Sequence, residues 1–257
     1  MPHLYLTSSL KNMSKLIAIG LASALLMVSA PLQAKTYDAE EKAAIKDVVK
    51  EYLLENPGII REALEELERR TAEEERNRQQ KLISENKDLL VNPEYSHVAG
   101  NKDGDVTVIE FFDYNCPYCR QSLKDIVKLM ENDKNVKIVL KEYPILGEAS
   151  KVASLAALAS RKQGKYMEYH TALLSAKGRI NKSSIISIAK KVGLDIDQLE
   201  KDMVSKEVEN ELQKNIDVGI KLGINGTPTF IFNDRVVPQV LPYEAMQQVI
   251  AKLRKAS

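Results

Sequence analysis

The sequence predicts a mixed α/β fold that is preceded by a helical segment. Two apolar runs with strand composition, Val106–Phe112 and Val136–Tyr143, are separated by an amphipathic helical stretch. A long block of helical patterns follows, and the chain ends in a strand, a hairpin and a final helix. Elements in this order are typical of a sheet that helices cover, with a helical block inserted midway.

Residues 1–34 are predicted to be a secretory signal. Lys11 and Lys15 precede the apolar run Leu16–Ala30, and a small residue follows at a cleavage point. The run is too short and wrongly flanked for a stable membrane span, and an uncleaved anchor is the alternative. Initiation at Met13 would give a more ordinary signal. Export would place the cysteines in an oxidising compartment.

The charge balance gives no reason to expect nucleic acid as a partner. The chain has 37 basic and 36 acidic residues, and the predicted signal contains two lysines and no acidic residue. Its removal leaves 35 basic and 36 acidic residues, a formal net charge of −1. A near-neutral chain lacks the electrostatic attraction on which nucleic-acid binding depends. The remaining length suffices for one domain and an accessory segment.

Residues 35–91 are predicted to form a helical oligomerisation segment with a linker helix. Asp38 can cap a first helix that runs to about Glu55, and Pro57 can begin a second helix. From Arg69 to Lys81 the only apolar residue is an alanine, so we expect an exposed charged helix there. The apolar positions with helical spacing before this stretch are Ile45, Val48, Val49, Tyr52, Leu53, Ile59, Ile60, Ala63, Leu64 and Leu67.

These helices carry too few apolar side chains for an independent core, and the charged stretch separates them from the following domain. We therefore expect their apolar faces to pack against the same segment of another subunit. The expected assembly is a homo-oligomer, with a dimer favoured over a trimer. An arm that folds back on its own catalytic domain and a docking element for a different protein are the alternatives.

The domain at residues 92–257 is predicted to alternate strands and helices. The helical insert spans about 148–222 and ends before a strand, a tight hairpin and the last helix. In chain order, the other predicted elements are an edge strand at Ser96–Ala99, a central strand at Val106–Phe112, a helix at Cys116–Glu131, strands at Val136–Tyr143, Thr227–Phe232 and Arg235–Val237, and a helix at Pro242–Lys255.

The only two cysteines, Cys116 and Cys119, lie where the central strand passes into a helix. This context is typical of a redox-active Cys-x-x-Cys pair. A thiolate is the nucleophile in disulfide exchange, and the start of a helix favours an anion. We assign Cys116 as the attacking sulfur and Cys119 as the resolving sulfur. Pro117 suits the first helical turn, where its missing donor is not needed.

The cysteine pair has two other interpretations. A structural disulfide would close a very short loop and would stabilise the chain little. A zinc site would need further ligands, and the chain offers only three histidines, His3, His97 and His170. We therefore predict no metal, and we expect His170 to be a packing residue.

A second set of candidate residues lies in or beside the apolar strands. Pro228 follows Thr227 at the mouth of a strand, a position that tolerates proline, and pattern alone favours a trans bond there. Glu110 and Lys141 are charged residues within strands. They either face solvent or form a pair beneath the cysteines, where the carboxylate could relay the proton of Cys119. Strand periodicity does not separate these alternatives.

Three features together resemble the DsbA-like thiol–disulfide oxidoreductases of the bacterial periplasm. They are the run Val108–Cys119, the helical insert, and the run Gly223–Phe230 with its Thr-Pro pair. The resemblance implies a thioredoxin fold with an inserted helical domain and a periplasmic location. It also implies that Pro228 is cis and faces the attacking sulfur, and that Glu110 and Lys141 are a buried acid and its lysine partner. We expect no cofactor.

Three departures from the monomeric oxidase type are similar to the oligomeric, ScsC-like branch. Tyr118 stands where strongly oxidising enzymes carry histidine, and tyrosine cannot become cationic to stabilise the thiolate. We therefore expect a Cys116 pKa above the value of about 3.5 of that type, nearer the value of about 7 in thioredoxin. Thr227 before the proline is similar to the disulfide isomerases, and the N-terminal helices are an addition.

These residues predict a periplasmic disulfide isomerase with oxidase capacity. Its expected partners are exported client proteins with cysteines and a membrane redox partner that keeps the pair reduced. A plain dithiol oxidase that is recycled by a quinone-linked membrane protein is the first alternative. A holdase chaperone without redox activity and a metal-stress protein with thiolates from two subunits are the others.

Overall fold

The computed structural model describes residues 36–92 and 94–256. The predicted signal at residues 1–34 and the alternative start at Met13 lie outside the described residues. No helix in the described ranges combines the length and the apolar character that crossing a membrane requires.

Helices and strands follow one another in the predicted order, which confirms the α/β prediction. The helices are α1 (Ala39–Glu55), α2 (Gly58–Glu85), α3 (Lys87–Val91), α4 (Pro117–Asn132), α5 (Glu148–Ser160), α6 (Tyr166–Leu174), α7 (Lys182–Val192), α8 (Ile196–Met203), α9 (Lys206–Lys221) and α10 (Tyr243–Ala256). The strands are β1 (His97–Gly100), β2 (Val106–Phe112), β3 (Val136–Glu142), β4 (Thr229–Phe232) and β5 (Arg235–Val237).

The chain divides into two compact units after Glu65. In the first unit, α1 begins with the predicted cap, because the Asp38 carboxylate accepts hydrogen bonds from the amides of Glu40 (2.9 Å) and Glu41 (2.8 Å). The Glu41 carboxylate in turn accepts from the Asp38 amide at 3.1 Å. This reciprocal arrangement satisfies donors that a helix start would otherwise leave unpaired.

The apolar residues of the first unit lie at the surface. Helix α1 has no buried residue among its 17. The large exposed apolar side chains of the described unit are Tyr37, Ile45, Val48, Val49, Tyr52, Leu54, Ile60 and Leu64. This helical pair therefore does not form a core of its own within the described residues, as the sequence predicted.

The charged stretch at residues 69–81 belongs to α2, which is one continuous helix of 28 residues. Arg69 bonds to Glu66 (2.8 Å) and Glu73 (2.9 Å), and Arg78 bonds to Glu75 at 2.8 Å. These side chains are exposed, so each pair contributes little to stability. Their spacing of three and four residues supports the helix locally, which confirms the prediction of an exposed charged helix.

The second unit contains a five-stranded sheet with the strand order β1-β3-β2-β4-β5. Strands β2 and β3 are parallel, and the remaining neighbours are antiparallel. The predicted central strand β2 therefore lies between β3 and β4, and its near-continuous apolar sequence fits burial on both faces. The helical insert, α5 to α9, connects β3 to β4.

Alternate residues of β2 contribute to two cores on opposite faces of the sheet. Val108 and Phe112 lie in the larger core, which α4, α10 and the insert cover. Ile109 and Phe111 lie in the smaller core, which the C-terminal part of α9 and residues 82–91 cover. This division decides which side chains can approach the cysteines.

Residues 82–91, which end the predicted N-terminal segment, belong to the core of the second unit. Ile83 and Leu90 are 6% and 1% exposed and pack with Phe111 and Tyr143. The last residues of the predicted N-terminal segment therefore pack on the sheet of the second unit. The apolar residues after the charged stretch cover a sheet face that would otherwise be open to water.

Candidate active site

The cysteine pair lies at the end of β2, where the chain turns into α4. Cys116 is the residue before the first helical turn, and Pro117 begins the helix. The Asp113 carbonyl accepts a hydrogen bond from the Cys116 amide at 3.0 Å. The Asp113 carboxylate accepts from the amides of Asn115 (2.7 Å) and Leu146 (2.9 Å). These bonds fix the loop that carries the first sulfur.

Both cysteines are free thiols and differ in burial. Cys116 is 5% exposed, whereas Cys119 is fully buried. Helix geometry places Cys119 one turn into α4 and leaves Cys116 at the helix start, where backbone N–H groups have no helical partner. The structure thus makes Cys116 the more accessible sulfur.

The two thiols have pKa values that are shifted in opposite directions. The pKa of Cys116 falls to about 5, chiefly because the Cys119 thiol donates a hydrogen bond to it. Burial opposes this shift. Hydrogen bonds from the Thr227 side chain and from the amides of Cys119 and Tyr118 lower the pKa further. Burial raises the pKa of Cys119 far above its usual range, and the hydrogen bond to Cys116 and the charge of Glu110 raise it further. One thiolate and one thiol therefore coexist at neutral pH.

The loop before β4 completes the site from the other side. The peptide bond between Thr227 and Pro228 is cis, as the resemblance implied. In its thiol form, Cys116 donates a hydrogen bond from Sγ to the carbonyl oxygen of Thr227 at 3.0 Å. Strand β4 is antiparallel to β2 with Thr229 opposite Phe111, so this register brings the loop to the cysteines.

Glu110 lies in the larger core beneath the two sulfurs. It is 2% exposed, and its Oε1 has no hydrogen-bond partner. Burial raises its pKa to about 8, the nearby Ser122 hydroxyl opposes the shift, and the charge of Cys116 adds to it. A buried carboxyl that titrates in this range suits the exchange of a proton with a neighbouring thiol.

The structure does not bring Lys141 to Glu110, so the expected pair is not formed. Leu140 lies opposite Glu110 in the parallel register, and Lys141 lies opposite Phe111. Side chains alternate between faces along a strand, so Lys141 points into the smaller core. Its Nζ donates hydrogen bonds to the carbonyl of Leu89 and to Asn215 Oδ1. Burial lowers its pKa to about 7.

A buried polar network that the sequence did not predict lies behind the catalytic loop. Glu142 Oε1 accepts hydrogen bonds from the hydroxyls of Tyr114 (2.9 Å) and Tyr166 (2.8 Å). His170 Nδ1 lies 3.1 Å from the Tyr114 hydroxyl, so this residue makes a hydrogen bond in addition to the predicted packing. His97 stacks on Tyr166 with ring centroids 4.3 Å apart. The sequence signal for this network is Glu142, a charged residue at the end of the apolar strand β3.

A shallow groove of about 570 Å³ lies beside the cysteines. Tyr118 and the cis-proline loop border it, and Tyr118 is 62% exposed. The other lining residues are Gln121, Gly226, Pro238, Gln239, Val240 and Pro242. A groove with an aromatic residue and several prolines next to a nucleophilic sulfur can hold an extended peptide segment.

The fold and this site define a thiol–disulfide oxidoreductase class: a reactive thiolate at a helix start, a buried second thiol, and a cis-proline loop opposite them. Residues 107–251 match the family model described as DSBA-like thioredoxin domain. The chain belongs to this family. Residues 41–74 match the N-terminal domain of the copper resistance protein ScsC. The thioredoxin fold and the resemblance to the ScsC-like branch are thereby confirmed.

Solved structures with the same fold include a thioredoxin-like oxidoreductase and a variant of ScsC. A thioredoxin-like oxidoreductase from Silicibacter pomeroyi is 45% identical, with a TM-score of 0.65 over 67% of this chain and 99% of that chain. A linker-deletion variant of Proteus mirabilis ScsC is 26% identical, with a TM-score of 0.62, and covers 88% of this chain and 100% of that chain.

The curated relatives include longer proteins, and this chain matches only one part of each of them. A sodium/proton antiporter NhaA from Salinispora arenicola is 30% identical over 152 residues. The match covers 58% of this chain and 23% of the antiporter. The chain thus spans less than a quarter of the length of the curated relatives that it matches first.

Proposed function

We propose that this protein is a periplasmic disulfide isomerase with oxidase capacity that acts on exported proteins. The observation that carries the proposal is the placement of the two thiols, with Cys116 at the start of α4 beside the Thr227 carbonyl and Cys119 fully buried one turn later. Attack on a client disulfide needs a thiolate, and the release of a mixed disulfide needs a second thiol within reach.

The reaction conserves electrons between enzyme and client. The Cys116 thiolate attacks one sulfur of a wrong client disulfide, a Cys116–client bond forms, and the other client sulfur leaves as a thiolate. In isomerisation a different client thiolate attacks the mixed disulfide, forms the correct client bond and releases Cys116 unchanged. In the alternative outcome Cys119 attacks Cys116, which reduces the client and leaves the enzyme oxidised.

Glu110 is the proposed proton acceptor for Cys119. The buried thiol cannot attack until it loses its proton, and its pKa is raised well above neutral. Glu110 is buried beneath both sulfurs and has an unpaired oxygen, so its carboxylate form can take that proton. Lys141 has no part in this step, because it lies in the other core.

The pair must be returned to its working state after each net reduction or oxidation of a client. An isomerase needs both cysteines reduced, so we propose a membrane reductant as its redox partner. A dithiol oxidase would instead need a membrane oxidant. The oxidation state of Cys116 and Cys119 in cells, read by thiol alkylation, distinguishes these two partners.

We also propose that the N-terminal helices join copies of the chain into a homo-oligomer. The support is the row of exposed apolar side chains on α1 together with the match of residues 41–74 to an ScsC N-terminal domain. An oligomer presents several catalytic sites to one client and can shield each site from an oxidase. A dimer remains the predicted state ahead of a trimer.

Recovery of activity from ribonuclease with scrambled disulfides tests the proposal. Residues 35–257 should restore ribonuclease activity in a weakly reducing buffer, and Cys116→Ser should abolish the recovery. No recovery, with brisk oxidation of a reduced dithiol peptide by the same preparation, would instead support the dithiol oxidase. Suppression of aggregation that survives the loss of both cysteines would support a holdase.

A further inference from the structure

A recess with two arginines borders the nucleophile and shares no lining residue with the cis-proline groove. It has a volume of about 500 Å³ and is lined by Asn115, Pro117, Arg120, Leu146, Gly178 and Arg179. Asn115 and Pro117, the two neighbours of Cys116 in the chain, both line it, so a molecule in this recess contacts the residues on either side of the nucleophile. None of the lining residues is acidic.

The charge of Arg120 is held in place and is not neutralised. Its Nε donates a hydrogen bond to the Tyr114 carbonyl at 3.1 Å, and its Nη1 donates to the carbonyls of Ala176 and Gly178, both at 2.6 Å. These acceptors are neutral, and the buried Nη2 has no partner. Among the described residues, no carboxylate forms an ion pair with Arg120 or Arg179.

The second arginine lies on a rigid and basic wall of the recess. Arg179 is exposed, and its Nη2 donates to the Leu146 carbonyl at 3.2 Å. The next residue, Ile180, is joined to the catalytic loop, because its amide donates to Asn115 Oδ1 at 2.7 Å. Lys177 and Lys182 flank this wall in the sequence, and no acidic residue lies between them.

The exposed Arg179 keeps guanidinium donors free for a carboxylate, and Arg120 adds a fixed positive charge without a counter-ion beside them. Arg120 lies one helical turn from Cys116, a separation of about 5–6 Å on a helix surface. An extended peptide advances about 3.3 Å per residue. A client segment that places its sulfur at Cys116 can therefore place a side chain about two residues away in the recess.

We propose that this recess binds an acidic side chain of the client and so gives the enzyme a preference for disulfides that are flanked by Asp or Glu. The proposal rests on the proposed function, because it names the class of client segment at the same site. The bound carboxylate would align the client sulfur with Cys116 without taking part in the exchange of electrons.

Single-turnover exchange with matched peptides tests the preference. The reduced protein is mixed with disulfide peptides that differ only in having Asp, Asn or Lys two positions from the attacked cysteine. Enzyme dithiol becomes disulfide while peptide disulfide becomes dithiol, so no further reductant is needed. We expect the Asp peptide to react about two- to fivefold faster than the Asn peptide, the Lys peptide to react slowest, and the differences to shrink at high salt.

Arg179→Gln should bring the Asp-to-Asn rate ratio close to one. Lys252→Gln, which removes an exposed charge of the same sign on α10, should keep the wild-type ratio. Arg179 is the better test, because the three carbonyl bonds of Arg120 also hold the loops together. An Asp-to-Asn rate ratio in Arg179→Gln that equals the wild-type ratio would overturn the proposal.

The bound carboxylate could belong to a client side chain or to a small disulfide such as oxidised glutathione. The same assay distinguishes these sources when it compares oxidised glutathione with its ester, in which the carboxylates are blocked. A preference for glutathione over its ester, without any preference among the peptides, would overturn the assignment to a client side chain. Equal and brisk rates with all three peptides would overturn the inference and leave the proposed function intact. Exchange with none of them would overturn the proposed function itself.

Discussion

The carbonyl oxygen of Thr227 lies 3.0 Å from the Sγ of Cys116, across 111 positions of sequence. The antiparallel register of β2 and β4 sets this relationship, because Thr229 lies opposite Phe111 at the end of the strand that leads to the cysteines. The thiol form of Cys116 donates to the carbonyl, and the Thr227 side chain stabilises the thiolate. Thr227 therefore accepts the hydrogen bond of the thiol form and also helps to lower the pKa of Cys116.

Thr227→Val should raise the pKa of Cys116 from about 5 by about one unit, because a hydrogen bond to a charged group contributes roughly 1.5 kcal/mol or more. A less stable thiolate also makes the disulfide less oxidising. The ultraviolet absorbance of the thiolate as a function of pH measures the shift. Thr229→Val removes a hydroxyl that bonds to the Gly226 carbonyl and should leave this pKa in place. Equal shifts in both variants would contradict the role of Thr227.

Glu110→Gln should remove part of the pH dependence of stability. The folded-state pKa of Glu110 is about 8 and its usual value is 4.5, so the folded protein binds the proton more tightly than the unfolded chain does. The contribution of Glu110 to the free energy of unfolding is therefore greatest below about pH 4.5. It falls by a few kcal/mol in all as the pH rises to about 8. Denaturant unfolding should therefore show that the variant gains stability over wild type as the pH rises through this window. A constant difference across the window would contradict the buried-acid assignment.

Glu110→Gln should also slow the resolution of the mixed disulfide by Cys119 by roughly tenfold or more, since positioned proton transfer contributes about 10²–10⁴ in rate. Quenched single-turnover reactions with a client peptide measure the lifetime of the adduct. Glu142 is an equally buried acid whose pKa burial also raises to about 8, and it does not act on the sulfurs. Glu142→Gln is therefore the matched control, and a similar loss of rate there would argue against a specific proton acceptor.

Lys141→Met should leave the pKa of Cys116 unchanged, because Lys141 lies in the smaller core and not beside Glu110. The loss of its hydrogen bonds to Leu89 and Asn215 should instead loosen residues 87–91. Amide hydrogen exchange of that segment should become faster. A clear shift of the Cys116 pKa in Lys141→Met would contradict this placement of Lys141 and favour the pair that the sequence predicted.

Val48→Asp should weaken self-association, because it places a charge within the row of exposed apolar side chains on α1. Val48 is 65% exposed in the single chain, so the change should not disturb the fold of the subunit. Sedimentation at micromolar concentration measures the mass and distinguishes a dimer from a trimer. Ala43→Asp, on the opposite side of α1, should retain the wild-type mass. A wild-type protein that sediments as a monomer would contradict the oligomer.

The order of elements and the cysteine pair could be predicted because they depend on local sequence. Apolar runs identify β2 and β3, and the spacing of Cys116 and Cys119 fits the start of a helix. The relation between Glu110 and Lys141 could not be predicted, because a shift of one residue in strand register moves a side chain to the other face. The contact of Glu142 with Tyr166 depends on how the insert packs on the sheet, which no local pattern encodes.

The measurement that tests the central claim most directly is the position of the covalent client adduct. The Cys119→Ser variant is mixed with a disulfide-bonded client peptide, and mass spectrometry locates the mixed disulfide. The account predicts a stable adduct at Cys116 in this variant and none at Cys119 in the Cys116→Ser variant. An adduct that forms as readily at Cys119 when Cys116 is absent would contradict the assignment of Cys116 as the attacking sulfur.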